Sequence, residues 1–523
     1  MPTPFDALTV RDAQRRMACD DEENEIAESA LAFAEGDHWQ HGHGWVGPRP
    51  DHHLGHDDRP YEADYRHSMH HHLLREIRRA FISKNAIGEV LARHRAGVIG
   101  HPIAWKLTVS RPLAQGESPT AAEQALIAEA EAALTTWWDQ EGVVEELHEA
   151  LVLLLCAGRA PLRLYVPPGL LVEQADGSVT LPPGDLPAQL ARIALDTPDR
   201  DEATVIEDDR TRAEAGIFLA EEEKGQPTLE VSALDGTETV LRIIAGDTVQ
   251  SETRLPLGGR LLVYELERPV LITAQVLSLQ KLLNLSLSML GRNVVLGGFL
   301  ERVFLNTQMP GEFRTDPHTG GQVFVPHPLD VGAGSINVLQ GTEIRDDATG
   351  QVTGYANPSV VYRDPVPVQT FADTRDIAYR AILEETQQAH ALLSGQGAPS
   401  GESRRQALAD FLSSLRLTAP AIERAVRWML ETALHLGAHF AGQPGRYLGL
   451  RVVTTCHLDT GPLAADEAKQ VIDLVAAELL SRETGMARVG VDDSDAEAQR
   501  IQAEREASAS LGGQVINAFN SGG

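Results

Sequence analysis

TFADTRDIAYRAILEETQQAHALLSGQGAPSGESRRQALADFLSSLRLTAPAIERAVRWMLETALHLGAHFA (370–441) places two helical patterns on either side of a glycine-rich break. Apolar residues recur at helical spacing over 370–393, enough for a helix of roughly 36 Å at about 1.5 Å per residue. SGQGAPSGES (394–403) stops it, because Gly395, Gly397 and Gly401 free the backbone and Pro399 lacks an amide. The pattern resumes over 404–441, roughly 57 Å if continuous, and Pro420 inside it predicts a bend near 417–420. A long helix, a flexible loop and a longer, kinked helix are therefore expected in succession.

Upstream, AQVLSLQKLLNLSLSMLGRNVVL (274–296) has apolar residues on nearly every face, so it should be a helix buried by several neighbours. Gln275, Gln280, Lys281, Asn284, Arg292 and Asn293 interrupt it too often for a membrane span. Between it and 370 lies a Gly-, Pro- and strand-rich piece, 297–367, with the turn-forming DATG at 347–350. The segment 160–270 reads as short strands: 162–166, 204–207, 216–220, 228–234, 239–244 and 260–266, with a tight turn at Asp235-Gly236. Ahead of it, Thr120 with Glu123 resembles a capping box opening a helix whose stripe is Leu126, Ala130, Leu134 and Trp137. A second helix runs from Val143 to Cys156 and stops at Gly158. The N-terminal region reads as helix (22–35), polar loop (36–69) and helix (70–95). Beyond 441 come a strand at 448–456, a helix at 462–482, an acidic helix at 492–508 and a loose tail. The fold class expected is α+β, mainly helical.

The 523 residues, 42% hydrophobic and 23% charged, suffice for a large core. Lys and Arg number 45 against 75 Asp and Glu, a formal charge of -30, which argues against gripping nucleic acid or anionic lipid over a broad surface. Cys19, Cys156 and Cys456 form no CxxC pair, which fits a reducing compartment, a cytoplasm. MPTPFDALTVRDAQ (1–14) has no apolar core of signal-peptide type.

Catalytic signatures are scarce. GQGAPSG (395–401) lacks the Lys-Ser/Thr of a phosphate-binding loop, His148-Glu149 does not continue into HExxH, and Asp492, Asp493 and Asp495 lack the glycine and closing Glu of a calcium loop. The anomaly is histidine: ten of 19 fall within 38–72 (His38, His41, His43, His52, His53, His56, His67, His70, His71, His72), among Asp37, Asp51, Asp57 and Asp58. Such a run could bind zinc or nickel, the basis for reading the chain as a metal-dependent hydrolase. Its Gly/Pro-broken spacing offers no rigid element to orient ligands, so a polar surface loop without metal or cofactor is the expectation. Trp137 and Trp138 read as packing residues rather than base-stacking platforms. Arg404 and Arg405 could touch phosphates or pair with Glu402 and Asp410, and the sequence leaves both open.

The order of segments resembles the portal proteins of tailed double-stranded-DNA bacteriophages. The stretches that carry it are AFAEGDHW (32–39), GWVGPRP (44–50), SKNAIGEVLARHRAGVIGHP (83–102), RNVVLGGFLERVFLNTQMPGEF (292–313), SGQGAPSGESRRQALADF (394–411) and DEAKQVIDLVAAELLSRETGMARVGVDDSDAE (466–497). None is a catalytic signature, and the His-rich insertion lies outside the pattern. The resemblance implies a non-enzymatic subunit of a ring of twelve. Its parts would be a wing (1–270), a first stem helix (271–296), a clip (297–367) and a second stem helix (368–393). A tunnel loop (394–403), a wing helix and strand (404–456) and a crown with tail (457–523) would follow. Implied partners are further copies of itself, the large terminase, the major capsid and scaffolding proteins, the head-tail adaptor and passing double-stranded DNA, with no membrane. Assembly would occur in the host cytoplasm, and the final location would be the virion's portal vertex. The implied DNA-facing residues are Gln396, Gly397, Ser400, Gly401, Glu402, Arg404 and Arg405, with Pro420 at the helix bend. A cytoplasmic helical scaffold protein is the other alternative.

Overall fold

The computed structural model describes residues 10–17, 21–38, 81–112, 117–170, 172–173, 179–207, 213–220, 227–246, 248–298, 301–308, 311–315, 321–326, 340–363, 366–394, 401–458, 465–482, 485–486, 497 and 500–502. The fold is mixed α+β with helix exceeding strand, 49% against 25%. No described helix is long and apolar enough to cross a membrane.

The chain divides into two compact units, each built from discontinuous segments. The first comprises Met1–Arg49, Asn85–Lys281 and Ala378–Gly523; the second comprises Pro50–Lys84 and Leu282–Ile377.

In the first unit, helices α1 (Val10–Met17), α2 (Asp21–Glu35) and α3 (Ala86–Ile99) precede strand β1 (Ala104–Val109). Helix α4 (Ala121–Gln140) opens with the expected capping box, Thr120 and Glu123 each bonding the other's backbone amide. Ala130, Leu134 and Trp137 are buried along its stripe, and the Trp137 Nε1–H donates to the Ile193 carbonyl at 2.9 Å. Helix α5 (Val143–Ala157) is bracketed by glycines, Gly142 at φ +62° and Gly158 at φ +78°. Strand β2 (Arg159–Tyr165), the two-residue strands β3 (Val172–Glu173) and β4 (Val179–Thr180), the short α6 (Leu186–Leu190) and β5 (Ala194–Asp196) follow.

Next come β6 (Ala203–Glu207), β7 (Ala213–Ala220), β8 (Thr228–Asp235), β9 (Glu238–Ala245), β10 (Thr248–Leu255) and β11 (Val263–Glu267). Strands β6 to β10 form an antiparallel sheet in the order β10-β9-β8-β7-β6, while β2 lies between β11 and β5 in a second sheet. The β8–β9 turn is Gly236-Thr237, between the paired Asp235 and Glu238, with positive φ at Gly236 alone, the arrangement of a type II′ hairpin. Helix α1 covers the first sheet, burying Val10, Ala13 and Met17 against Ile217, Leu229, Val231 and Ile244. Strand β10, which the sequence reading did not anticipate, is exposed along seven of its eight residues.

Helix α7 (Ala274–Gly298) forms where a helix was expected, but it is buried along one side only, with Val276, Leu277 and Leu283 covered and Leu282 and Val294 exposed; its buried polar residues are structural. The buried Gln280 Oε1 accepts from the amides of Ala86 and Ile87 at 3.1 and 3.2 Å. Within the second unit, Asn284 Oδ1 accepts from the Lys84 amide at 3.3 Å and Ser288 Oγ from the Ile82 amide at 3.0 Å. These bonds correct the helix expected over 70–95. Residues 81–85 are non-helical, and α3 starts only after Asn85, whose side chain caps Gly88 N. Side chains some 200 positions away outcompete the local helical pattern for those amides.

The second unit carries β12 (Glu301–Leu305), β13 (Thr307–Gln308), β14 (Gly311–Thr315), β15 (Gln322–Pro326), β16 (Gln340–Gly341), β17 (Glu343–Arg345), β18 (Val352–Tyr355) and β19 (Ser359–Arg363). Among the described residues they pair only two by two: β12 with β19, β13 with β16, β14 with β15 and β17 with β18. The DATG turn closes β17–β18, with Gly350 at φ +66° and the Asp346 carboxylate accepting from the amides of Ala348 and Thr349.

Helix α8 (Val368–Glu385) is shorter than expected. Gln387 turns the chain at φ +58°, and 389–394 form a 3₁₀ turn. The buried Gln388 side chain explains the stop: it donates to the Val90 carbonyl at 2.8 Å and accepts from Arg93 Nη1 at 3.3 Å. Helix α9 (Gly401–Phe440) has 40 residues and continues on both sides of Pro420. From Trp428 to Ala438 every residue is buried, so this half forms the centre of the first unit. Gly437 permits close approach of α6, because a Cβ there would sit 3.0 Å from a Leu190 methyl. Strand β20 (Leu450–Thr455) pairs with β1, and α10 (Ala465–Ala476) follows.

Glu431 ties these pieces together. Its Oε2 accepts from Arg260 Nε and Nη2 at 3.0 and 2.5 Å, and its Oε1 accepts from the Val452 amide at 2.8 Å. Glu431→Ala would leave a guanidinium and an amide unpaired, and should cost about 3–5 kcal/mol. The expected result is a lower thermal midpoint for the full chain, with a smaller drop in Glu431→Gln, which keeps an acceptor.

Candidate functional site

The segment expected as a tunnel loop, 394–403, is described only at its ends. Gln396, Gly397 and Ser400 lie outside the described residues, whereas Gly401, Glu402, Arg404 and Arg405 belong to the first turns of α9 rather than to a loop. The helix starts at the last glycine of the segment because GESRRQALADF is a strong helix-forming run once Pro399 is passed. Of the histidine-rich run, His38 is described. It is buried against Phe33, with ring centroids 4.8 Å apart, and burial pushes its pKa down to about 4. His41 through His72 lie outside the described residues. Among the described residues, no group of three or more His, Cys, Asp or Glu is placed to hold a metal ion.

What anchors the N-terminal half of α9 was not visible in the sequence. Thr418, two residues before Pro420, is fully buried, and its hydroxyl receives the Arg268 Nη1–H at 2.9 Å. His94 Nε2 of α3 lies 2.9 Å from the same oxygen and 3.4 Å from Arg268 Nη1. Burial, and then the adjacent guanidinium, push the His94 pKa from 6.5 to about 3, so the ring is neutral at physiological pH. A neutral ring beside a cationic donor is assigned the tautomer with Nε2 as acceptor and Nδ1 protonated, the latter buried without a partner among the described residues. Arg268 pays for its own desolvation with a pKa lowered to about 10. Phe411 completes the cluster, edge-on to His94 at 6.3 Å and tilted against His390 at 4.5 Å. The residues are 94, 268, 390, 411 and 418, too scattered for a motif; the only local hint was a lone histidine on an apolar helix stripe.

This node is chemically quiet. The histidine is neutral and inaccessible, and the arginine is committed to a hydroxyl. Burial holds the thiols of Cys156 and Cys456 protonated, with pKa values pushed up to about 12. The arrangement joins α3, the end of β11 and α9 just where Pro420 removes a backbone hydrogen bond from the helix. It stiffens the stretch that leads back from the 395–400 segment. No protein-family model matches the chain, and no curated protein matches it.

The node predicts an acid response. His94 takes up a proton readily when unfolded but not when folded, so its contribution to stability is intact above about pH 6.5 and is lost progressively as pH falls toward 3. The limiting slope is about 1.4 kcal/mol per pH unit for one such histidine. Comparing unfolding midpoints at pH 7.5 and 5.5 should show a smaller acid-induced drop in His94→Gln than in the unmodified chain.

Proposed function

We propose that this chain is the subunit of a ring-shaped portal of the tailed-bacteriophage kind, a channel at one capsid vertex through which double-stranded DNA is packaged, retained and released. The observation that carries the reading is the state of the second unit. Its ribbons are two-stranded, and 14 of the 23 large apolar side chains that are exposed among the described residues lie in it, including Phe313 at 68%, Ile344 at 52%, Tyr355 at 53%, Val361 at 49% and Ile377 at 66%. An isolated two-stranded ribbon is marginal in water, and apolar surface at that density marks an interaction surface. Closure into a ring would cover the apolar surface exposed among the described residues, since each copy presents that surface to the next in a head-to-tail contact.

Three further features support it. The second unit is inserted through two helices, α7 and α8, as a clip would be through stem helices. A glycine-rich segment then leads into a 40-residue helix, as a tunnel loop leads into a wing helix. A charge of -30 per copy discourages a passing duplex from sticking. In this reading the chain does no bond chemistry. It binds further copies of itself, the large terminase during packaging, capsid and scaffolding proteins at assembly and the head-tail adaptor afterwards. Gln396, Gly397, Ser400, Gly401, Glu402, Arg404 and Arg405 then contact DNA without reading its sequence.

Native mass spectrometry with negative-stain imaging of the same sample tests the architecture: twelve copies of 56.7 kDa give a closed ring of about 680 kDa with a central hole. A monomer that stays monomeric in the presence of capsid partners would refute it. Deleting 396–401 should leave the ring intact and reduce the fraction of DNA-filled particles; normal filling would remove this segment from the DNA path.

A further inference from the structure

The ribbon formed by β1 and β20 has two outer edges, and helices cover them unequally. Ser110 N donates to Gly449 O in register with the ladder, so even-numbered residues of β1 bond to β20 and odd-numbered ones turn their amides and carbonyls outward. On the β20 side, carboxylates from α9 stand in for a third strand: Glu431 takes the Val452 amide and Glu423 Oε1 takes the Cys456 amide at 2.9 Å. On the β1 side, Glu131 Oε1 of α4 takes the Leu107 amide at 2.8 Å, and beside it the outward amide and carbonyl of Trp105 bond to no described residue.

A groove of about 430 Å³ opens at this point, lined by residues 103–106, at the start of β1, and by Glu131, Thr135 and Trp138 of α4. Trp105 and Trp138 are both partly exposed, with ring centroids 6.3 Å apart and planes tilted by 36°. Glu131 keeps its Oε2 without a hydrogen bond among the described residues, and Lys106 stands on the alternate pleat from Trp105. An unpaired strand edge, two tryptophan faces and a carboxylate with a free oxygen therefore meet in one groove.

We propose that the open edge of β1 receives an extended, basic segment of a different protein by strand addition. The segment's backbone would pair with the Trp105 amide and carbonyl, and one arginine or lysine would lie against the indole faces and reach Glu131 Oε2. Charge decides the occupant. A chain of net charge -30 gains nothing from docking its own acidic segments beside Glu131, whereas a basic segment is attracted both by the whole molecule and by the groove. The proposal does not depend on the portal reading.

The test uses the full chain and a displayed library of random twelve-residue peptides, selected on it at moderate salt. Selection should enrich peptides with one arginine or lysine within a β-branched run. The best of them, synthesised with a fluorescent label, should lose at least tenfold in affinity on Thr135→Arg, which places a cation in the groove from an exposed helix position. Methylating one backbone nitrogen next to the basic residue should cost a similar factor, and Trp105→Phe should remove part of the tryptophan fluorescence change on binding. Enrichment of acidic or purely apolar peptides, no enrichment at all, or binding unaffected by Thr135→Arg or by N-methylation would overturn the proposal. Self-association of the chain abolished by Thr135→Arg would put a second copy in the groove and overturn it equally.

Discussion

A two-stranded ribbon buried beside a helix leaves a row of backbone amides with no third strand to receive them, and an unpaired buried amide costs about 1–3 kcal/mol. The β1–β20 ribbon meets this constraint with side chains: Glu431 and Glu423 from α9 on one edge, Glu131 from α4 on the other. Glu431 does double duty, since the oxygen that does not serve the ribbon holds Arg260. Strand β20, the loop ahead of β11 and the buried half of α9 are thus fixed to one another by a single carboxylate. The fully buried stretch from Trp428 to Ala438 can then be central to the first unit without the ribbon drifting in register.

The same device recurs with amides in place of carboxylates. Gln280 caps the start of α3, and Gln388 binds the Val90 carbonyl and ends α8. These contacts explain where the sequence could be read and where it could not. Elements whose ends are written locally were legible: Thr120 and Glu123 at the start of α4, Gly142 and Gly158 around α5, and Asp235-Gly236 at the β8–β9 turn. Ends decided by a residue 200 or 300 positions away were not, so a helix was expected over 70–95 and another over 370–393. Strand β10 has no signature in the sequence because TVQSETRL, solvated on both faces, shows no alternation.

The candidate site was legible in the same uneven way. The glycine-rich segment stood out by composition, but the point at which it becomes helix, Gly401, did not. The His94–Thr418–Arg268 node is invisible in one dimension because each residue looks ordinary in its own segment. Both tryptophans pack, as expected, but in different ways: Trp137 is buried and hydrogen-bonded. Trp138, its neighbour in sequence, faces a groove instead, because adjacent positions on a helix point about 100° apart.

The two units differ in how they settle their apolar surface. The first encloses its own core, with α1 laid on one sheet and the 428–438 stretch of α9 buried on all sides. The second spreads its apolar residues over ribbons of two to five residues per strand, each too small to cover them. In the proposed ring, a subunit built this way would face opposite demands before and after assembly, because surface buried in the ring would be exposed until the ring closes. The acidic excess addresses the first demand: copies carrying -30 each repel one another at long range and tend to stay soluble. Salt within about 10 Å screens that repulsion while leaving apolar contact intact, so association is governed by close fit of the ribbons rather than by charge. On the proposed reading, association through the ribbons is what covers the apolar surface that the second unit exposes.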